Sequence, residues 1–196
     1  MKKTLLSATI LSLVVACSGV KKNYVIVDNS YSPKPKWVKK EHYEPSKKDE
    51  YKYFISKAEN VNQRLCESTA SARANLVVAS EIANNIDNAF KNTINSNDDE
   101  ANTITTEKLQ QTVKLQLAGV ENTERYWERR QYLKKLGAEE DKTRYQCYSL
   151  LRMKKDSYNK AVDASLNKMM SMINSDNKQE IINNVKDKLL EQDENI

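Results

Sequence analysis

Side chains suited to acid–base, nucleophilic or metal chemistry are few in this sequence of 196 residues. The single histidine, His42, lies in a polar stretch with prolines, so a Ser/His/Asp or Cys/His nucleophile would lack a base inside a folded domain. Three glycines cannot form a phosphate-binding loop, and one histidine is too few for a zinc site. Glu121, Glu124 and Glu128 are interpreted as exposed carboxylates. The sequence therefore predicts no enzyme, no metal site and no cofactor.

Cys17 has the clearest chemical context of the three cysteines. A basic start at Lys2 and Lys3 precedes an apolar run from Leu5 to Val15, which has the length of a secretory signal and is short for a transmembrane helix. Small Ala16 then comes directly before the cysteine.

This order resembles the lipobox of bacterial lipoproteins, whose signal peptide is removed and whose cysteine thiol receives fatty acids such as palmitate. The resemblance implies that residues 1–16 are cleaved off and that Cys17 is the lipidation site. Each buried acyl methylene contributes about 0.8 kcal/mol, so several chains hold a protein firmly on a membrane. Ser18 in place of Asp is the pattern that permits sorting to the outer membrane, on its periplasmic face or at the cell surface.

Cys66 and Cys147 remain as an even pair in what would be an oxidising compartment. A disulfide between them is one alternative. The other is two independent small core residues, since free cysteine is often buried. The sequence alone does not decide between them, because it does not give the distance between the two Cα atoms.

Arginine and aromatic side chains alternate in the segment from Arg125 to Arg129. Arg125, Tyr126, Trp127 and Arg129 form a candidate ligand or partner face, because guanidinium groups and aromatic rings stack on sugars and on other rings. If the segment is a strand, Arg125, Trp127 and Arg129 share one face. The simpler alternative is a half-exposed strand with ordinary cross-strand pairs.

Composition and patterning predict a small α+β domain. Charged residues make up 30% of the chain, and the formal net charge of +5 is too small to favour nucleic acid as a partner. Residues 17–48 are predicted to be a lipidated basic tether with prolines, residues 49–174 a compact domain, and residues 175–196 a C-terminal helix and tail. Within the tether, Tyr24–Val27 is a candidate short edge strand, and Trp37 and Val38 mark the approach to the folded domain.

Periodicity predicts an antiparallel sheet of three to four strands, a long Ala-rich helix, a second helix and a C-terminal amphipathic helix. The strands are expected at residues 51–56, 112–117, 120–132 and 143–153, and the helices at 61–92, 154–173 and 177–192. The long helix carries an apolar stripe from Leu65 to Phe90. Residues 93–106 are predicted to be a polar loop. The last helix either folds back on the domain or meets a partner.

Three short stretches resemble the twenty-kilodalton lipoprotein (Lpp-twenty) family of outer-membrane lipoproteins. They are Pro35–Val38, Tyr53–Glu59 and Ala70–Leu76, and Tyr145–Lys155 resembles the penultimate strand of that family. The resemblance covers residues 35–170 and implies a compact α+β domain without a catalytic site. Some relatives, such as the flagellar lipoprotein FlgP, form disks around the flagellar motor. The polar loop and the last helix depart from the family pattern.

The sequence therefore leads to a membrane-anchored envelope lipoprotein that acts through contacts with a protein partner or with itself, including self-assembly around a flagellar motor. Two alternatives stay open at this point. One is a module that binds peptidoglycan through Tyr126, Trp127 and Arg129. The other is a lipoprotein that activates a cell-wall enzyme.

Overall fold

The computed structural model describes residues 22–40, 43, 45, 50–93, 106–171 and 178–194. Four strands form one antiparallel sheet in the order β1–β3–β4–β2. They are β1 (Tyr24–Asn29), β2 (Tyr51–Asn60), β3 (Glu121–Tyr132) and β4 (Lys142–Lys154). The helices are α1 (Gln63–Ala72), α2 (Ala74–Thr93), α3 (Thr106–Gln116), α4 (Lys155–Met170) and α5 (Lys178–Glu194). The predicted α+β class is confirmed.

Strand β4 is one of the two inner strands of the sheet, and both of its faces are covered. Leu151 and Met153 face the helices, while Tyr148 and Leu150 face the opposite side. Successive side chains of a strand point to opposite faces, so one apolar strand can serve two cores. The alternation predicted for residues 143–153 is seen in the packing, since Cys147, Leu151 and Met153 join cores on the helix side and Tyr148 and Leu150 join the core on the other side.

The main core lies between the sheet and the layer formed by α2 to α5. Helix α2 packs against α3 and α5, and α3 packs against α4. The stripe from Ala79 to Phe90 is buried together with Val78 and Ile82, as its spacing predicts. Val185 of α5 is fully buried, so the last helix folds back on the domain.

The predicted single helix over residues 61–92 is wrong, because the chain forms two helices separated at Arg73. Helix α1 turns Cys66 and Ala70 toward the sheet, whereas α2 turns Val78 and Ile82 inward. The break changes the phase of the apolar pattern. Leu65 and Leu76, which the stripe predicted to be buried, are exposed for this reason.

The predicted strand over residues 112–117 is also wrong, because these residues lie in or directly after α3. Leu109 and Val113 are one helical turn apart and both are buried in the main core. Leu115 is 84% exposed, although strand alternation would place it on the same face as Val113. The apolar residues of this segment fit both the two-residue period of a strand and the period near four of a helix. Only the helix places Leu109 and Val113 on one buried face.

The predicted tether over residues 17–48 contains part of the folded body. Residues 24–29 form β1 at the edge of the sheet, as the candidate edge strand suggested, and pair with β3. A short 3-10 turn at Lys36–Lys39 then buries Trp37 and Val38 on the face of the sheet opposite the helices. The folded domain therefore begins near Tyr24 and not at residue 49. Lys34 is also fixed by an ion pair, so this basic stretch is not a solvated spacer.

Several predictions fall on residues outside the described part of the chain. They include the signal segment 1–16, Cys17, His42 and most of the predicted polar loop, residues 94–105. The four predicted regions 51–56, 120–132, 154–173 and 177–192 otherwise match β2, β3, α4 and α5 within a few residues at their ends, except that β2 extends to Asn60.

Candidate contact surface

The predicted partner face divides between the two sides of β3. Tyr126 lies opposite Tyr148 in register and is buried in the small core around Trp37. Trp127 lies opposite Cys147, and Arg129 opposite Tyr145, on the side of the sheet that carries the helices. The structure therefore keeps Arg125, Trp127 and Arg129 together and removes Tyr126 from the candidate surface.

Among the described elements, the helices contact mainly the β2 and β4 part of their side of the sheet. Helix α1 packs mainly over β2 and β4. Over the outer pair β3 and β1, Arg125 and Gln131 are exposed, Trp127 and Arg129 are half-buried, and Val25 lies opposite Gln131 with 40% exposure. These five residues are called the open strip below. The Nε of Arg129 is buried without a hydrogen-bond partner in the described part of the chain.

Strand β1 is an edge strand with an apolar, uncharged centre. Val25, Ile26 and Val27 are 40%, 42% and 44% exposed, which is high for three consecutive aliphatic residues. Edge strands commonly carry lysine or proline that discourages pairing with other chains. The opposite edge, β2, carries Lys52, Lys57 and Glu59, whereas the centre of β1 has no such residue.

A buried carboxylate holds the N-terminal segment on the other face of the sheet. Glu128 is 0% exposed, and its Oε1 lies 2.6 Å from Nζ of Lys34. Its Oε2 accepts hydrogen bonds from Nε and Nη2 of Arg130, at 2.9 and 2.7 Å. Nη2 of Arg130 also donates to the hydroxyl of Tyr148 at 2.7 Å. These four residues are called the Glu128 clamp below.

The surroundings of the clamp set the protonation states of Glu128, of Tyr148 and of the neighbouring Tyr126. Burial acts to raise the pKa of Glu128, but hydrogen bonds and charge from Lys34 and Arg130 outweigh it and hold the pKa below its ordinary value. Burial, with the charge of Glu128, raises the pKa of Tyr126 to about 12. Burial likewise raises the pKa of Tyr148 to about 12. Both phenols therefore stay neutral near pH 7.

Trp37 fixes a second point of the same segment. Its Nε1 donates to Oε2 of Glu124 at 2.7 Å, and Tyr31 packs edge-on against Tyr126 with ring centroids 5.4 Å apart. The expectation of an exposed carboxylate is therefore wrong for Glu128, which is buried, whereas Glu124 is exposed as expected and accepts the hydrogen bond of Trp37. Strand alternation places Tyr126, Glu128 and Arg130 on one face of β3, and this pattern could have indicated that Glu128 is buried beside Arg130. Lys34 was not foreseeable, because it is distant in sequence and was assigned to a tether.

A disulfide joins Cys66 of α1 to Cys147 of β4, with 5.8 Å between their Cα atoms. Of the two alternatives that the sequence left open, the structure has the disulfide. It lies in a small core with Ala58 and Ala70, and Trp127 packs against that core from the open strip. The disulfide therefore stabilises the small core against which Trp127 of the open strip packs.

A groove of about 670 Å³ lies at the start of α1, beside the open strip. Gln63, Arg64, Glu67 and Tyr145 line it together with Val61 and Asn62. The ring of Tyr145 meets that of Trp127 edge-on, with centroids 5.6 Å apart. The groove is polar with one aromatic wall, which is a surface suited to a polar chain more than to an apolar ligand.

Groups of three or more metal-ligating side chains are absent from the ranges that the structure describes. Over the same ranges, no helix has the length and apolarity needed to cross a bilayer. Comparison of the chain with protein-family models, with curated proteins and with solved structures gives no match. The resemblance to the twenty-kilodalton lipoprotein family stays a prediction.

Proposed function

We propose that this protein is a lipid-anchored envelope lipoprotein that works by contact with other proteins. The observation that carries the proposal is the open strip beside an edge strand whose centre has no charge or proline, in a part of the sheet that the described helices contact little. The lipobox-like segment ending at Cys17 supports anchoring. An acylated cysteine confines the domain to the outer membrane and raises its effective concentration for neighbours there.

The open strip has the residue types that are common at protein interfaces. Trp and Arg are enriched at interface centres, and the open strip presents Trp127 between Arg125 and Arg129. The strip carries the guanidinium charges of Arg125 and Arg129, which favour a partner with acidic or carbonyl oxygen groups. Self-assembly, including a disk around a flagellar motor, is one form of such contact.

Site-specific photocrosslinking in living cells tests this proposal. A photoreactive residue at Arg125, in the otherwise native chain, is expected to give discrete crosslinked products in the membrane fraction. The same residue at Leu115, which is 84% exposed on α3, is the matched control and is expected to give far fewer. Cys17→Ser should release the protein to the aqueous fraction and remove the products. Equal crosslinking at both positions would count against a dedicated surface.

A second candidate function, binding of peptidoglycan, is favoured by the polar groove and by the contact between Tyr145 and Trp127. Sedimentation with purified peptidoglycan tests it. Trp127→Ala should lower the bound fraction at least tenfold if the strip holds sugar rings, whereas Leu115→Ala should bind as the wild type does. Equal retention of both variants removes this candidate. Activation of a cell-wall enzyme is a special case of the first proposal, with that enzyme as the crosslinked partner.

A further inference from the structure

The free edge of β1 has a defined hydrogen-bonding pattern. Leu133 donates from its backbone N–H to the carbonyl of Asn23 at 3.1 Å, and Val25 lies opposite Gln131 two residues further along. In an antiparallel ladder, residues two apart turn their backbone groups to the same neighbour. Asn23 and Val25 therefore turn toward β3, and Tyr24 and Ile26 turn their N–H and C=O groups away from the sheet.

This outward pattern is complementary to itself. An antiparallel second strand of the same sequence can pair Tyr24 with Ile26 and Ile26 with Tyr24, so that all four outward backbone groups on each copy find partners. Val25 then faces Val25 of the second copy on a twofold axis. The Tyr24 and Ile26 pairs are aromatic with β-branched, which is a favourable cross-strand pair, and the Val25 pair is apolar and uncharged.

Charge and strand geometry favour the same arrangement. Lys22 precedes β1 and Asp28 lies near its end, so antiparallel pairing brings the basic start of each strand beside the acidic end of the other. Parallel pairing would bring like charges together. The register shift between Ile26 and Asp28 ends the regular edge, which limits the shared ladder to a short segment.

We infer that two copies of this chain pair through β1 and form one continuous eight-stranded sheet. The inference rests on the proposed contact function and names its partner as a second copy. A ladder this short buries little area, and interfaces of that size are weak in dilute solution. Confinement to a membrane would supply the effective concentration that the short interface needs. The two open strips would then continue across the twofold axis through the paired Val25 side chains.

Cysteine crosslinking of the lipidated full-length protein in membranes tests the inference. Cα atoms of a residue pair without mutual hydrogen bonds lie about 4.5 Å apart, within the range that a disulfide accepts. Val25→Cys is therefore expected to give, under mild oxidation, a covalent species at twice the mass of the chain. Ile26→Cys is the matched control, because it would face Tyr24 of the second copy, and at least fivefold less dimer is expected from it.

A proline variant separates pairing from folding. The N–H of Ile26 points away from β3, so Ile26→Pro removes a donor of the new ladder and none of the existing one. Adding Ile26→Pro to Val25→Cys should abolish the dimer, with a thermal midpoint close to that of Val25→Cys alone. The inference is overturned if the dimer persists, or if Val25→Cys gives no product or only products of other masses. Products of other masses, or none at Val25 with products at Arg125, would leave the proposed function standing.

Discussion

At position 128 a carboxylate is held away from water by two cations and a tyrosine. Glu128 is fully buried, yet its pKa lies below its ordinary value of 4.5 because Lys34 and Arg130 hold the ionised form. The folded chain therefore takes up this proton less readily than the unfolded chain. The resulting stabilisation is complete above the unfolded pKa and is lost as the pH falls through the lower, folded value.

Glu128→Gln should lower the free energy of unfolding at pH 7 by about 3 kcal/mol, since it leaves Lys34 and Arg130 without their counter-charge. Urea unfolding monitored by tryptophan fluorescence measures this. The difference in free energy of unfolding between variant and wild type should narrow steadily as the pH falls below about 4.5. Glu121→Gln removes an exposed pair with Arg152 and is the control, with a loss below about 1 kcal/mol. A gap that stays constant down to pH 2 contradicts the account.

Among the elements, α3 is where the sequence pattern and the structure disagree most. Val113 and Leu115 would share a buried face in a strand, but in the helix Val113 is fully buried and Leu115 is exposed. Val113→Asp should therefore lower the free energy of unfolding by more than about 3 kcal/mol, because it buries a charge without a partner. Leu115→Asp should change it by less than about 0.5 kcal/mol. Similar losses from the two variants, in parallel urea titrations, would support the strand instead.

The elements that could be predicted are those whose side chains follow one period. In β4, successive apolar side chains pack on opposite faces of the sheet, and α4 buries Tyr158, Val162 and Leu166 at helical spacing. Prediction failed in α3, where the apolar residues fit both the strand spacing and the helix spacing. It also failed at Arg73, where a break between two helices shifts which residues face the core. On the candidate surface, strand alternation gave Trp127 and Arg129 correctly. The Glu128 clamp could not be predicted, because it joins residues that are distant in the sequence and local sequence patterns do not show such contacts.

Across the whole molecule, the disulfide connects the first helix to the inner strand β4. Cys66 and Cys147 are separated by 81 residues, so the bond restricts a long loop of the unfolded chain. The double change Cys66→Ala and Cys147→Ala should lower the free energy of unfolding by about 2–4 kcal/mol. Reductant should lower the thermal midpoint of the wild type and leave that of the double variant unchanged. A wild-type midpoint insensitive to complete reduction would show that the bond adds nothing to stability.

If Cys17 is acylated as proposed, the position of β1 also limits how far the protein can extend from the bilayer. Only seven residue steps separate Cys17 from Tyr24, where the sheet begins. A fully extended chain spans at most about 3.6 Å per residue, so the acyl-bearing sulfur and the sheet edge would lie within roughly 25 Å of each other. With so short a connection the folded domain would lie against the lipid headgroups. A partner would then have to be at the membrane surface to contact it.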